Sequence, residues 1–195
     1  MSNYSAISVV CESVLLLLRN NYEPQEFNNE LEFKVYLAKD FLAPMPTGVS
    51  LFLYRILPNG SHRTPNGRIG PNGKYYRSQL PIDLHFLLTA WGKDASLQHT
   101  IAGWMMRVLE DMPILPASLL NSVASDVFHP DETVEICLSE MTTEEMIHIW
   151  EAFIENGYHL SIPYVARNIR IESNVLITDK QSIQKRTFEY KKYGD

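Results

Sequence analysis

The chain has 195 residues, enough for one large domain or at most two small ones. With 45% apolar, 11% aromatic and 21% charged residues, its composition is globular and excludes disordered, collagen-like and disulfide-scaffold classes. Cys11 and Cys137 lie far apart, with no Cys or His at ligand spacing, so we expect buried thiols in a reducing cytoplasm. The longest apolar run, residues 14–18, is too short for a membrane span, and we expect no secretory leader.

The net charge of −6 conceals segregation of charge along the chain. Residues 41–82 contain five basic and no acidic side chains, and residues 108–166 contain eleven acidic and no basic ones. Residues 167–195 are basic again, with seven Lys or Arg against four Asp or Glu. If folding preserves this segregation, the molecule has one positive and one negative surface, suited to stacking on copies of itself or on a charged partner. The alternative is that folding interleaves the segments, so that the segregation is lost in space.

Helix and strand signals follow in chain order. Apolar residues at helical spacing predict a first helix over Ala6–Asn20, with Ser5 as its N-cap. Alternation over residues 31–38 predicts a strand with one buried face. Residues 49–57 are apolar on both alternations, which predicts an inner strand. Pro-Asn-Gly then occurs three times in residues 58–79, which predicts a turn-rich loop or extended hairpin tip.

Strand character resumes over residues 80–91. Asp94 is placed to cap a second helix, which should end before Pro113. A short helical turn is predicted near residues 117–123, and a strand over residues 133–138.

The third helix has the clearest start in the sequence. Thr142 as cap and Glu145 three residues later form a capping box, and Met141 is placed to staple onto Met146. We expect Gly157 to end this helix.

The last strand is predicted from the alternation of residues 158–164. Helices after the third and fourth strands favour an α/β fold with a mixed sheet flanked by helices. No composition break indicates a second domain. We therefore predict one domain over residues 1–173 and a basic tail over residues 174–195, either flexible or ordered by a partner.

The candidate catalytic groups are few. Asp83 and His85 share a strand face, but no serine or cysteine in a nucleophile-elbow context accompanies them, so we favour a neutral histidine hydrogen-bonded to the aspartate. Glu145 and His148 form the Glu-x-x-His element of di-metal bundles, and Glu151 lies one turn further on. Those sites need two such helices, however. We therefore predict no enzymatic activity, no metal and no cofactor.

A nucleic-acid-binding module is the alternative function. Basic residues interleave with Tyr75 and Tyr76, as single-strand binding requires, and the module would use this loop and the basic tail. The glycines of the loop lead into a strand instead of a helix N-terminus, so a phosphate cradle is not favoured. The pI of about 5.5 and the lack of a recognition helix also oppose nucleic-acid binding.

Five segments carry a resemblance to a known family: SAISVVCESVLLLLRNNY, LPIDLHFLLTAWG, HTIAGWMMRVLEDMPILP, LSEMTTEEMIHIWEAF and YHLSIPYVARNIRIES. They are similar to the tail terminator, or cap, proteins of extracellular contractile injection systems. These systems are phage-tail-like particles of the antifeeding-prophage and virulence-cassette type. The resemblance covers about residues 4–173, and LPIDLHFLLTAW and SIPYVARNIRIES are its most distinctive pieces.

The resemblance implies a phage tail-terminator-like fold and a structural role, in which a ring of six copies closes the inner tube and the contractile sheath. It implies the sheath protein and the inner tube protein as partners, without a membrane, in a particle assembled in the cytoplasm and then released or anchored. It also implies that the last sheath layer binds partly by strand addition to the sheet of the cap. We expect basic side chains of the loop and tail to contact a neighbouring subunit or the tube: Arg55, Arg63, Arg68, Lys74, Arg77, Lys185 and Arg186.

Overall fold

The computed structural model describes residues 3–27, 31–62, 67–70, 73–153 and 158–177. These residues form α1 (Ala6–Asn20), β1 (Glu32–Tyr36), β2 (Gly48–Pro58), β3 (Arg68–Ile69), β4 (Tyr75–Tyr76), β5 (Leu80–Trp91), α2 (Ala95–Asp111), β6 (Ile114–Pro116), α3 (Ala117–Val123), β7 (Thr133–Leu138), α4 (Thr143–Phe153) and β8 (Ser161–Ile171).

Six of the described strands form one mixed sheet in the order β1-β2-β5-β8-β7-β6, and β3 and β4 form a separate hairpin. β1 and β2 are parallel, and the other neighbours in the large sheet are antiparallel. The predicted α/β class with a mixed sheet is therefore confirmed. The two segments singled out as most distinctive are β5 and β8, and they pair directly, with Leu88 opposite Ile162.

The first face of the sheet carries the larger core. Leu84 and Leu88 of β5 are fully buried there, together with Val14 and Leu18 of α1. Buried residues of α2 and α3 join the same core, so three helices cover this face. None of the described helices combines the length and apolar character needed to cross a membrane.

The second face of the sheet is covered by α4 and by the crossover between β1 and β2, which contains a 3-10 helix at Ala38–Leu42. Phe41 of this crossover is 1% exposed and lies at the centre of an aromatic cluster. Its ring centroid is 5.2 to 6.1 Å from those of four other aromatic side chains: Tyr36, Phe52, Trp91 and Trp150. β2 and β5 carry apolar side chains on both faces of the sheet, so the second face also has to be covered.

A bulge in β8 sets which side chains reach the first core. Arg167 and Asn168 together lie opposite the single residue Asp83 of β5. Asn168 has a φ of 67°, in the left-handed region that asparagine tolerates. Because the extra residue shifts the alternation by one, Ala166 and Ile169 both face the first core.

The predicted starts of α2 and α4 are confirmed; α4 is the helix that the sequence analysis called the third. The predicted cap of α1 is not confirmed. Asp94 accepts a hydrogen bond from the backbone N–H of Leu97 at 2.9 Å. Thr142 and Glu145 form the capping box, in which Glu145 N–H donates to Thr142 Oγ1 at 3.2 Å and Thr142 N–H donates to Glu145 Oε2 at 2.9 Å. Gly157, predicted to end this helix, lies outside the described residues.

Ser5 is not the side-chain cap that we predicted for α1. Its backbone is already helical, with φ −73° and ψ −12°, whereas a capping residue adopts an extended conformation. Its own N–H instead donates to Asn3 Oδ1 at 2.7 Å. The predicted bounds of α1 are nevertheless confirmed.

Two strand predictions need correction, and one strand was not predicted. β1 buries Phe33 in the first core, but on its other face Tyr36 is also buried, in the aromatic cluster, because the crossover folds back over it. β8 begins at Ser161, so residues 158–160 precede it. The short strand β6 was not predicted, because its three residues between Pro113 and Ala117 are too few to show alternation.

We predict that Phe41→Ala destabilises the protein by about 3–5 kcal/mol, since it removes a fully buried ring and leaves a cavity among other rings. The neighbouring Leu42 is 59% exposed and serves as the matched control, with Leu42→Ala expected to change stability by less than about 0.5 kcal/mol. Urea unfolding of the two variants measures the difference. Equal effects would show that the crossover does not hold the second face.

Candidate interaction site

Of the predicted contact residues that the structure describes, three lie in or beside the hairpin and one lies apart from it. Arg63, Lys185 and Arg186 lie outside the described residues. Arg55 is exposed near the end of β2, and the remaining three lie in or beside the hairpin: Arg68, Lys74 and Arg77.

The hairpin is extended by the chain that leaves β8. Arg77 N–H donates to Val175 O at 3.0 Å, and Ile177 N–H donates to Tyr75 O at 2.9 Å, so residues 174–177 run antiparallel to β4. We call β3, β4 and residues 174–177 the hairpin unit. The first residues of the predicted tail are therefore part of the fold.

Gly67 makes close packing of the hairpin unit possible. Its φ is +73°, and a Cβ atom at this position would lie 2.4 Å from the carbonyl oxygen of Tyr76. Only glycine avoids both the strain and the clash. The loop predicted from the Pro-Asn-Gly repeats thus contains a hairpin, with Gly67 before β3 and Gly73 before β4, both at positive φ.

A buried carboxylate anchors the hairpin unit to the sheet. The side chain of Glu172 is 2% exposed, and its Oε2 lies 2.6 Å from Nη2 of Arg68 in β3. Its Oε1 accepts a hydrogen bond from Gln79 Nε2 at 3.1 Å and lies 3.5 Å from His129 Nε2. The Arg68 guanidinium also lies 5.3 Å from the ring centroid of Tyr76. Glu172 therefore ties three segments of the chain together.

The outer surface of the hairpin unit combines apolar and basic side chains. Lys74 and Arg77 are exposed on it. Its exposed apolar side chains are Ile69 (62%), Tyr75 (43%), Val175 (52%) and Leu176 (43%). Exposed apolar groups beside charges are typical of protein contact surfaces.

The opposite charge is concentrated around α4. We call this region the acidic surface, and it consists of exposed carboxylates: Glu140, Glu144, Glu145 and Glu151. Hydrogen bonds from Thr142 hold the pKa of Glu145 below its usual range, and the nearby positive charge of Arg55 adds to the effect. A groove lies on each side of α4, one of about 520 Å³ and one of about 360 Å³.

The charge segregation of the sequence is thus partly retained. Arg68 is paired with Glu172, and Arg55 lies near Glu145, so two of the basic side chains meet acidic ones within the subunit. The exposed Lys74 and the acidic surface remain on different elements. Basic and acidic side chains are therefore exposed on different elements of the described chain.

The predicted pair of Asp83 and His85 is not a hydrogen-bonded pair. His85 Nδ1 lies 3.4 Å from Ser139 Oγ, and Asp83 accepts a hydrogen bond from Asn59 Nδ2 at 3.1 Å. Burial, followed by the charge of Arg55, lowers the pKa of His85, so the imidazole is neutral at pH 7.

The other sequence candidates for chemistry have ordinary surroundings. His148 is exposed, 3.7 Å from Glu144 and 3.5 Å from Glu151. Burial raises the pKa of the Cys11 thiol to about 12, and Cys137 is a half-buried free thiol. Within the described ranges, no three His, Cys, Asp or Glu side chains are grouped as a metal site.

β1 forms one edge of the large sheet and lines a groove of about 630 Å³. Glu32 N–H donates to Thr47 O, so even-numbered residues of β1 direct their backbone groups toward β2. Phe33 and Val35 therefore direct theirs outward, and Arg19 Nη2 donates to Phe33 O at 3.3 Å. Tyr22 and Asp40 side chains accept from the N–H groups just before and after the strand.

Sequence reasoning missed Glu172 and the β1 edge. The sequence did contain a signal for Glu172. It is the first carboxylate after residue 155, and it directly follows an alternating strand in a basic segment. The position of β1 at an edge had no local signal, since strand order depends on long-range pairing.

The comparisons with known proteins agree with this architecture. The family described as the Pvc16 N-terminal domain matches residues 9–185. A solved sheath/tube terminator of an extracellular contractile injection system (PVC, extended state) has a TM-score of 0.63 and 14% identity, over 96% of this chain and 64% of that chain. The solved cap of the anti-feeding prophage (AFP tube terminating cap) has a TM-score of 0.62 and 13% identity, over 93% and 60%. The chain thus spans less than two thirds of either structure, and no curated protein matches it.

We predict that Glu172→Gln destabilises the protein by about 3 kcal/mol, because it leaves the Arg68 guanidinium buried without its counter-charge. Amide exchange at Arg77 and Ile177 should accelerate in the same variant, since both amides hold the hairpin unit together. Urea unfolding and hydrogen exchange measure the two effects.

The control is Glu32→Gln, which removes the exposed ion pair with Lys34 and should leave stability nearly unchanged. If the two variants behave alike, Glu172 does not anchor the hairpin unit.

Proposed function

The chain belongs to the Pvc16 N-terminal domain family, which confirms the resemblance found in its sequence, and from this membership we propose that it is a structural cap. In this proposal a ring of six copies closes the inner tube and the contractile sheath of a phage-tail-like particle. The subunit acts by binding its neighbours and performs no catalysis. Its partners are further copies of itself, the sheath protein and the tube protein.

The whole-chain fold carries this proposal. A solved structure described as a sheath/tube terminator matches 96% of this chain, and one described as a tube terminating cap matches 93%. A match of this extent includes both layers over the sheet, so it is more than one shared motif. Fold alone does not determine function, and the surfaces of the subunit supply the second support.

Unlike surfaces on one subunit are what a ring requires. A ring closed by rotation uses head-to-tail contacts, in which one surface of each copy meets a different surface of the next. The hairpin unit, with Lys74 and Arg77, and the acidic surface on α4 are complementary in charge. In this proposal they meet across the subunit boundary, and the apolar side chains of the hairpin unit are buried there.

The sheath contact is assigned to the β1 edge. Strand addition needs outward backbone groups along a strand, with side-chain pockets beside it. The outward N–H of Phe33, the outward groups of Val35 and the adjoining groove meet this need, whereas the Phe33 carbonyl already accepts a hydrogen bond from Arg19. The flanking contacts of Tyr22 and Asp40 limit such an added strand to the middle of β1.

Reversing two charges on the hairpin unit tests the ring contact. We expect Lys74→Glu combined with Arg77→Glu to fold normally and to reduce ring formation, or docking onto particle ends, by at least about ten-fold, because like charges then face each other. Native mass spectrometry of the purified protein and electron microscopy of particle ends measure the two outcomes.

The matched control for this pair reverses two exposed lysines elsewhere, Lys39→Glu with Lys93→Glu, and should cap normally. Normal capping by the hairpin variant would remove the hairpin unit from the ring contact. A wild-type protein that is absent from particle ends would contradict the cap function itself.

A single proline substitution in β1 tests the sheath contact. Val35→Pro removes an outward N–H and leaves the bonds to β2 in place, since proline is tolerated in edge strands. We expect this variant to fold and to form the ring but to lose the sheath at particle ends. Circular dichroism and electron microscopy of the particles check both parts.

Lys34→Pro is the matched control for Val35→Pro. The N–H of Lys34 points toward β2, so losing it should weaken the fold itself. If Val35→Pro retains sheath as the wild type does, the last sheath layer binds elsewhere on the cap.

A further inference from the structure

The larger groove beside α4 has an apolar floor. Its volume is about 520 Å³, and its lining includes Met146, Ile147, Tyr158 and Pro163. Ile147 is 44% exposed and Tyr158 is 57% exposed, so two large apolar side chains of the groove are open to solvent. Exposed apolar side chains within a concave surface indicate a binding partner.

Two exposed carboxylates of α4 lie close to Ile147, beside the groove. Glu144 and Glu151 lie three and four residues from Ile147, so all three share one side of α4. Their side chains are 85% and 68% exposed, and each lies within 4 Å of His148. The lining of the groove contains no Lys or Arg. A partner segment for this groove needs apolar side chains next to positive charges.

The C-terminal segment of the chain has this composition. Residues 178–195 contain five Lys or Arg and three Asp or Glu. Two pairs of adjacent basic residues, Lys185 with Arg186 and Lys191 with Lys192, alternate with apolar and aromatic side chains. Those side chains are Ile183, Phe188, Tyr190 and Tyr193.

The exit point and length of this segment allow a contact with another copy. Ile177 is fixed to β4, beyond the end of β8, whereas Pro163 of the groove lies near its start. The eight residues from Pro163 to Ile171 separate the two sites by about 26 Å along the strand. Eighteen extended residues reach at most about 60 Å, which is enough to cross a subunit boundary.

We propose that residues 178–195 of one copy bind in the groove beside α4 of the neighbouring copy, with apolar side chains on Ile147 and Tyr158 and basic ones on Glu144 and Glu151. This inference rests on the proposed ring. It adds a second head-to-tail contact to that of the hairpin unit, and the segment links neighbours around the ring.

Photocrosslinking of the full-length chain tests the proposal. Benzoylphenylalanine replaces Ile147 in one preparation and Met106, a 38% exposed residue of α2, in a control preparation. After irradiation of the assembled protein, a denaturing gel separates cross-linked dimers from monomers, and mass spectrometry identifies the cross-linked peptides. We expect dimers that join position 147 to residues 178–195, and none of this kind from position 106.

Charge variants add a second readout. Glu144→Lys combined with Glu151→Lys should lower the yield of these dimers by about five-fold or more at low salt, because two attractions become repulsions. Glu23→Lys combined with Glu26→Lys makes the same change in net charge at exposed positions elsewhere and should leave the yield unchanged.

Three outcomes overturn the proposal. Cross-links from position 147 to residues 178–195 within the monomer band would place each segment on its own subunit. Dimers joined through other peptides would show that a different segment occupies the groove. Absence of dimers would show that no neighbouring copy contacts the groove. Native mass spectrometry of the same sample separates the two failures, since an intact ring without these cross-links refutes only the segment contact.

Discussion

The strand β5 is apolar on both faces, and the rest of the fold follows from the need to cover both. Leu84 and Leu88 are buried under α1, α2 and α3, while Leu87 and Trp91 are buried under α4 and the crossover from β1 to β2. Among the described segments, three helices cover the first face, whereas one helix and an irregular segment centred on Phe41 cover the second, with a groove on either side of α4. The surfaces available for binding are therefore a result of uneven coverage of one sheet.

The projecting hairpin unit depends on one carboxylate for its position. A two-stranded hairpin is marginally stable in water, and β3 and β4 contain two residues each. The contacts of Glu172 with Arg68 and Gln79, and the pairing of residues 174–177 with β4, compensate for this. An internal role for Arg68 leaves Lys74 and Arg77 as the basic side chains that the hairpin unit presents outward.

Local patterns in the sequence were sufficient for elements whose cause is local. The stripe of α1, the cap at Asp94 and the capping box at Thr142 each depend on residues within one or two turns, and all three elements form where they were predicted. The patterns failed where distant segments decide the outcome. Tyr36 is buried because the crossover returns over it, and Arg55 lies apart from the basic side chains of the hairpin unit because it belongs to β2. The bulge at Asn168 likewise depends on pairing with β5.

The two central strands are distant in sequence, which affects when the subunit can fold. Thr89 in β5 and Ser161 in β8 share a buried hydrogen bond across a separation of 72 residues. Contacts of this range are slow to form, and they cannot form until the ribosome has released nearly the whole described chain. Until then β5 lacks its central neighbour, and its apolar edge is a site for aggregation. Pairing of β8 with β5 is thus a late event in the folding of this subunit.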